Sequence, residues 1–276
     1  MSGIKSILLH VDAMTESVVR LELTRRLASR LDSRITALFA ASRDTEHTSY
    51  AYSAGAILAA LESEWDQSLC DEAKRRLQLA GVGEGPPVSW CDIVGDSITH
   101  GFLEEAAYAD LLVIGQQVES PPTGAAPAGF VEATILQSGR PTLVIPRTPR
   151  TGTVGQRVLV AWDGSAQAAR ALTNAIPFLE RAEQVHVVSW AERARTAPFS
   201  RVDVRDYLRD HYISATLHLR HPTSRIAEQL ATLAASLDAD LVVMGCYGHS
   251  RIGERIFGGA SRAALTSLHI PILMAH

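Results

Sequence analysis

The sequence predicts an α/β protein made of two doubly wound, five-stranded parallel-sheet units in tandem. Three observations carry that prediction. Short apolar runs alternate along the chain with amphipathic stretches, and runs unbroken by polar residues suit parallel strands covered on both faces. The order of elements then repeats: Asp110-Leu111-Leu112-Val113-Ile114-Gly115 matches Asp240-Leu241-Val242-Val243-Met244-Gly245, and Pro141-Thr142-Leu143-Val144-Ile145 matches Pro271-Ile272-Leu273-Met274, both at an offset of 130 residues. Finally, 276 residues suffice for two domains of ordinary size.

Taken in order, Ile4 to Val11 is an apolar run closed by Asp12, which reads as a strand. Thr15 to Leu31 has helical spacing, with Val18, Val19, Leu23, Leu27 and Leu31 on its apolar face. Arg34 to Ala41 is a second strand, 42–56 a polar connection, and 57–80 a long helix. Gly81 to Pro87 is a turn dense in Gly and Pro. Val88 to Val94, Leu111 to Gly115 and Pro141 to Pro146 complete the first set of strands, with helices at 96–108 and 129–138. Arg147 to Gln156, rich in Pro, Thr and Gly, reads as a linker, so the domains are expected at 1–147 and 156–276.

In the second half Arg157 to Trp162 is a strand ending at Asp163, the counterpart of Asp12. A helix follows at 165–181, with Ser165 well suited to cap it. Strands at 184–189, 215–220, 241–245 and 271–274 and helices at 202–213, 223–236 and 262–268 repeat the pattern. Open sheets of this kind bind ligands outside the carboxyl ends of the strands, at the switch point.

Bulk properties exclude several classes. A content of 46% hydrophobic and 20% charged residues indicates a soluble globular chain. No apolar run reaches the roughly 18–20 residues of a membrane span. The first twelve residues lead straight into a strand-like segment rather than a signal-peptide shape, and the three cysteines, Cys70, Cys91 and Cys246, share no metal or redox spacing. A reducing cytoplasm is the expected location. The net charge of −4 offers no large basic field for nucleic acid. Residues 1–150 carry 13 Lys and Arg against 19 Asp and Glu, whereas residues 151–276 carry 13 against 11. No HExxH pair, GxSxG elbow or nucleophile–base set is visible, so a dedicated catalytic site is not indicated.

The stretch with the most chemistry is Met244 to Ser261. A glycine-rich loop leaves the carboxyl end of a buried strand and enters a helix N-terminus. Bare glycine backbone can approach an anion closely, and the helix end adds partial positive charge. Gly245, two residues, Gly248, nine residues and Gly258 fit neither the Walker nor the Rossmann spacing.

This spacing resembles the Gly-x2-Gly-x9-Gly-Ser/Thr signature of the universal stress protein family, and the resemblance extends over nearly the whole chain, twice over. It departs at Gly259, where the family has Ser or Thr; a hydroxyl returns at Ser261. The resemblance implies a cytoplasmic, ATP-binding stress regulator, with Mg2+ accompanying the nucleotide, whose two units pack as a pseudo-dimer that can pair again as a homodimer. It implies binding residues at Trp162, Asp163 and Trp190 for adenine and ribose, and at Met244, Gly245, Gly248, His249, Arg251, Gly258, Gly259, Ala260 and Ser261 for phosphate. Bland alternatives stand beside these: Asp163 as a turn residue capping the next helix, the tryptophans as covers of the sheet edge, and the glycines as packing devices. A nucleotide-free protein-interaction module, a slow ATPase and an adenine-binding flavoprotein also remain open.

The first half lacks the motif. Val118 stands where Gly248 stands, and Ala128-Gly129-Phe130 replaces Gly258-Gly259-Ala260. The Val118 and Phe130 side chains are expected to obstruct phosphate there, leaving nucleotide to the second half.

Overall fold

The computed structural model describes residues 3–39, 68, 71–80, 85–92, 97–118, 120–122, 124–190, 203–221, 225–246 and 259–276. The chain divides into two compact units, Lys5–Ser138 and Gly139–His276 joined by Met1–Ile4. Both are α/β units of the class the sequence predicts.

In the first unit β1 (Ser6–Val11), β2 (Arg34–Phe39), β3 (Val88–Asp92) and β4 (Leu111–Gly115) are all parallel, in the order β3-β2-β1-β4. Helices α1 (Glu16–Leu31), α2 (71–80), α3 (Ile98–Ala106) and α4 (Phe130–Gln137) complete it. β1 lies between β2 and β4, with Ile7 opposite both Ile35 and Leu111. The apolar runs make a dry core, with Leu9, Leu38, Leu112 and Val113 wholly buried.

The apolar face of α1 is not quite the expected one. Val19 is 37% exposed, whereas Ser17, Arg20, Thr24 and Arg25 are buried. Polar groups face inward here because each has a partner to reach: Ser17 donates to Asp12, Arg20 to the His10 carbonyl, Thr24 to the Arg20 carbonyl and Arg25 to the Ala80 carbonyl. The expected polar connection at 42–56 and the first part of the long helix lie outside the described residues.

The second unit holds β6 (Arg157–Ala161), β7 (Gln184–Trp190), β8 (Thr216–Arg220), β9 (Leu241–Gly245) and β10 (Ile272–Ala275), parallel in the order β10-β9-β6-β7-β8. Its helices are α5 (Ala166–Leu179), α6 (Val204–Asp210), α7 (Ile226–Ser236) and α8 (Gly259–Ser267). Ser165 caps α5 as expected, its hydroxyl accepting from the Ala168 N–H at 3.1 Å. The expected helix at 262–268 begins earlier, at Gly259.

One strand departs from the simple tandem picture. β5 (Thr142–Ile145), fifth in the first repeat, belongs to the second unit, where it pairs antiparallel with β10 through Val144 opposite Ile272. Without it β10 would present an open, apolar edge, the kind of edge that pairs indiscriminately. The first unit therefore keeps four of its five expected strands.

The repeated Asp-Leu motif has a structural cause. Asp110 Oδ2 accepts from the backbone N–H groups of Lys5 and Ser6 at 2.8 and 2.9 Å and from the Ser6 hydroxyl at 3.1 Å. Asp240, 2% exposed, accepts from the N–H groups of Gly155, Gln156 and Arg157 at 3.0, 3.1 and 2.9 Å. Each carboxylate clamps the start of its unit's central strand and satisfies backbone donors that no ladder reaches.

Replacing this carboxylate leaves three N–H groups unsatisfied, with hydrogen bonds to a charged acceptor worth about 1.5–3 kcal/mol each in net terms and not additive. Asp240→Ala is expected to lower the unfolding free energy by about 3 kcal/mol or more in urea titrations, and Asp240→Asn by less. A loss below about 1 kcal/mol for the alanine variant would remove the clamp as a stabilising element.

Candidate functional site

In the second unit β6 is flanked by β9 on one side and β7 on the other, so the chain reverses its direction of growth across β6 and β9. Ala161, the last residue of β6, lies opposite Met244, and β9 ends one residue later at Gly245. This is the crevice where an open α/β sheet has room for a ligand.

The site residues named from the sequence that lie among the described residues are placed as follows. Trp162 follows β6; its N–H donates to the Val188 carbonyl at 2.8 Å and its side chain is half-buried. Asp163 is exposed, and its Oδ1 accepts from the Ser165 N–H at 2.9 Å, the Asx turn of the bland reading. Trp190, last residue of β7, is half-buried and donates Nε1–H to Gln229 Oε1 on α7 at 2.7 Å. Met244 is buried and Gly245 half-buried. Ser261 is buried within α8. Gly259 and Ala260 form the first turn of α8. Gly248, His249, Arg251 and Gly258 lie outside the described residues.

Gly245 has a packing reason to be glycine. A Cβ there would stand 2.5 Å from the Ala168 nitrogen and 2.6 Å from the Gln167 carbonyl carbon, both backbone atoms of α5. The first turn of α5 presses on the end of β9, and any side chain would push it away.

The corresponding crevice of the first unit is built differently. Asp12 is 6% exposed, and Arg20 is 4% exposed. Arg20 Nη2 lies 3.3 Å from Asp12 Oδ1 and donates to the Ser17 hydroxyl at 2.9 Å, while Arg20 Nε donates to the His10 carbonyl at 2.9 Å. The Ser17 hydroxyl in turn donates to Asp12 Oδ1 at 2.6 Å. The guanidinium also fills the space beside Gly115, the counterpart of Gly245; a Cβ there would lie 3.2 Å from the Arg20 guanidinium carbon. The Ala13 N–H donates to the Gly124 carbonyl at 3.0 Å, and Arg76 of α2 donates to the Ala13 carbonyl. Beneath α2, the crevice between Asp12, Ser17 and Ala73 has no room for a water molecule.

The two copies can be aligned on their Asx turns. Asp12 Oδ1 accepts from the Met14 N–H at 3.2 Å, as Asp163 Oδ1 accepts from Ser165. Ser17 and Arg20, five and eight residues after Asp12, then correspond to Ala168 and Ala171, five and eight after Asp163. Where the first unit inserts a hydroxyl and a guanidinium, the second has two methyl groups, and its strand-end carboxylate stays at the surface.

This corrects one expectation. Phe130 does not project into the loop: it is 1% exposed and packs in the core, its ring centroid 4.6 Å from His10 and 5.2 Å from Phe102. Val118 is half-buried. The obstruction in the first unit comes from Arg20, with Gly124 and Arg76 sealing the turn after Asp12. Sequence reasoning missed both Arg20 and Gln229. A polar residue on the inward face of an amphipathic helix was the available signal for Arg20; nothing in the sequence ties Gln229 to Trp190.

Electrostatics follow from this packing. Burial alone would raise the Asp12 carboxyl. The Arg20 guanidinium, then His10, the Ser17 hydroxyl and the Met14 N–H, outweigh burial and hold the group below its ordinary value. Among the described residues no helix is long and apolar enough to cross a membrane.

Comparison with known proteins bears on the same region. Residues 155–276 match the sequence model of the universal stress protein family. The whole chain is similar in structure to a universal stress protein from Archaeoglobus fulgidus, at 18% identity and a TM-score of 0.68, over 98% of this chain and 97% of that one. It is also similar to a functionally unknown protein from Pseudomonas aeruginosa PAO1, at 17% identity and a TM-score of 0.61, over 99% and 92%. These likenesses establish the fold across both repeats. No curated protein matches the chain.

The sign of the Asp12 effect fixes a pH dependence. A carboxylate whose folded value is depressed contributes stability that is fully present above its unfolded value near 3.8 and is lost as pH falls through the folded value. Asp12→Asn strands the Arg20 charge, a change of the kind that costs about 3–5 kcal/mol in a buried pair. The gap in unfolding free energy between wild type and Asp12→Asn is expected to be largest near pH 7 and to narrow below about pH 4. Urea titrations at pH 7, 5 and 3 check this; a gap independent of pH would show that Asp12 is not ionised in the folded protein.

Proposed function

We propose that this chain, whose residues 155–276 match the universal stress protein family, binds ATP with Mg2+ in its second repeat and works as a nucleotide-dependent stress regulator rather than a dedicated enzyme. The observation that carries the proposal is the convergence of two features at one switch point. Ala161 and Met244 lie opposite each other on adjacent strands; two residues beyond the first stands Asp163, and directly after the second begins the Gly-x2-Gly-x9-Gly run that leads in sequence to α8.

In this reading the exposed Asp163 carboxylate accepts from a ribose hydroxyl or base amine while its other hydrogen bond keeps the turn in shape. Trp162 and Trp190 flank the adenine, and the bond from Trp190 to Gln229 fixes the indole. Gly248, Gly258 and the N-terminus of α8, with Gly259, Ala260 and Ser261, supply backbone donors to the phosphates; His249 and Arg251 add charge. The excess of Lys and Arg over Asp and Glu in residues 151–276 favours an anionic ligand over this half. The first sequence repeat, 1–147, sealed by Arg20, takes no nucleotide and serves as a structural partner of the second, 156–276, to whose unit it gives β5, and the protein acts in the cytoplasm.

Gly259 favours a second reading. Lacking the hydroxyl of the family signature, the loop could serve a protein partner with no nucleotide. Mass spectrometry of ligand released from freshly purified protein separates the two: the nucleotide reading expects an adenine nucleotide.

Titration of labelled ATP against wild type and Gly248→Val tests the proposal directly. The valine side chain is expected to weaken binding by about tenfold or more, at least 1.4 kcal/mol. Equal affinity in both proteins, or no ATP affinity in either, would end it. Arg20→Ala is expected to leave ATP affinity unchanged, because it lies in the other repeat.

A further inference from the structure

We propose that His186 and His218 form a two-imidazole site for a borderline divalent transition metal, Zn2+, Ni2+ or Cu2+, on β7 and β8 of the second unit. His186 Nδ1 lies 3.1 Å from His218 Nε2, with ring centroids 5.2 Å apart. Two nitrogens bound at about 2.0–2.1 Å to one tetrahedral or square-planar metal stand about 2.9–3.4 Å apart. The pair is therefore already at the bite distance of a chelate.

The strands hold it there. β7 and β8 run parallel with Val188 opposite His218, so His186 sits two residues earlier on the same face, a diagonal neighbour. Both rings are half-buried, so solvent reaches them while the strand backbones limit their freedom. Gln184 Oε1 lies 3.5 Å from His186 Nε2. A proton on Nε2 facing that carbonyl leaves Nδ1 bare toward His218, the arrangement by which outer groups fix the tautomer of a ligating imidazole. On binding, the metal takes the place of the proton between the rings. That proton moves to His218 Nδ1, both imidazoles stay neutral, and no net proton is released.

The chemistry of the donors sets the class of metal. Among the described residues no group of three or more His, Cys, Asp and Glu is placed to hold a metal, so water or an external ligand completes the coordination. A nitrogen-only pair disfavours hard cations such as Mg2+ and Ca2+, which require oxygen donors, and the charge of Arg220, two residues along β8, opposes every divalent cation alike. The site is separate from the nucleotide crevice, whose Mg2+ would be held by phosphate oxygens.

The test uses untagged full-length protein. At a hundredfold excess of Zn2+ over its Kd, the wild-type melting temperature is expected to rise by about 5–10 °C, and the rise is expected to vanish in His186→Gln and His218→Gln. With one equivalent of Cu2+, the electron paramagnetic resonance spectrum is expected to show coupling to two nitrogens in wild type and to lose it in either variant. Diethylpyrocarbonate labelling of wild type alone provides a readout independent of variant folding: His186 and His218 should be modified in metal-free protein and protected by Zn2+. Equal melting shifts in wild type and both variants, or labelling of the two histidines unchanged by Zn2+, would overturn the proposal.

Discussion

A carboxylate standing at the carboxyl end of a central parallel strand must meet a partner or stay in water, because an isolated ion in the interior is too costly to keep. The two repeats answer this constraint in opposite ways. Asp12 is drawn inside and neutralised by Arg20, which also holds the Ser17 hydroxyl and the His10 carbonyl. Asp163 remains exposed and spends one oxygen on its own turn. The difference traces to two positions on the following helix, Ser17 and Arg20 in one copy against Ala168 and Ala171 in the other. With methyl groups there, α5 settles against β9 so closely that Gly245 has no room for a Cβ. With a guanidinium there, the same gap beside Gly115 is filled by a side chain.

The amino ends of the strands show the opposite behaviour. Asp110 and Asp240 do the same work in both copies, each gathering donors from the start of its central strand. A residue that serves the fold is needed wherever the fold is repeated. The strand-end aspartates, by contrast, differ in their surroundings between the two copies. The first copy gains a satisfied polar network from the arrangement around Asp12.

Much of this architecture was legible in the sequence because the dominant signals are local. The strands announce themselves as continuous apolar runs, and β4 and β9 have the bounds read from pattern alone. Ser165 as a cap follows from residue type and position. What escaped depends on partners distant along the chain. β5 reads as the last strand of the first repeat, and only the open edge of β10, some 130 residues later, makes it part of the other unit. Phe130 sits where a phosphate loop would open, and nothing local says that His10 and Phe102 hold it inside. Arg20 looks like a solvated helix charge until Asp12 is placed beneath it. Of the candidate site, Asp163 and the glycine spacing are what motif reading singles out, and the bond from Trp190 to Gln229 has no signal in the sequence.

The double duty of Gly245 decides how the glycine motif should be weighed. Because the α5 backbone would meet any Cβ at 2.5–2.6 Å, this position requires glycine whether or not an anion is ever bound. Its presence is thus explained by packing and adds little to the case for phosphate. Gly115 in the sealed copy makes the same point, since a glycine persists there beside a guanidinium that occupies the crevice. The case for phosphate rests instead on Gly248 and Gly258, which lie between β9 and α8 in the sequence and which the first copy replaces with Val118 and Ala128. Those two positions, and not the glycine that ends the strand, are where the two copies differ in the sequence of this motif.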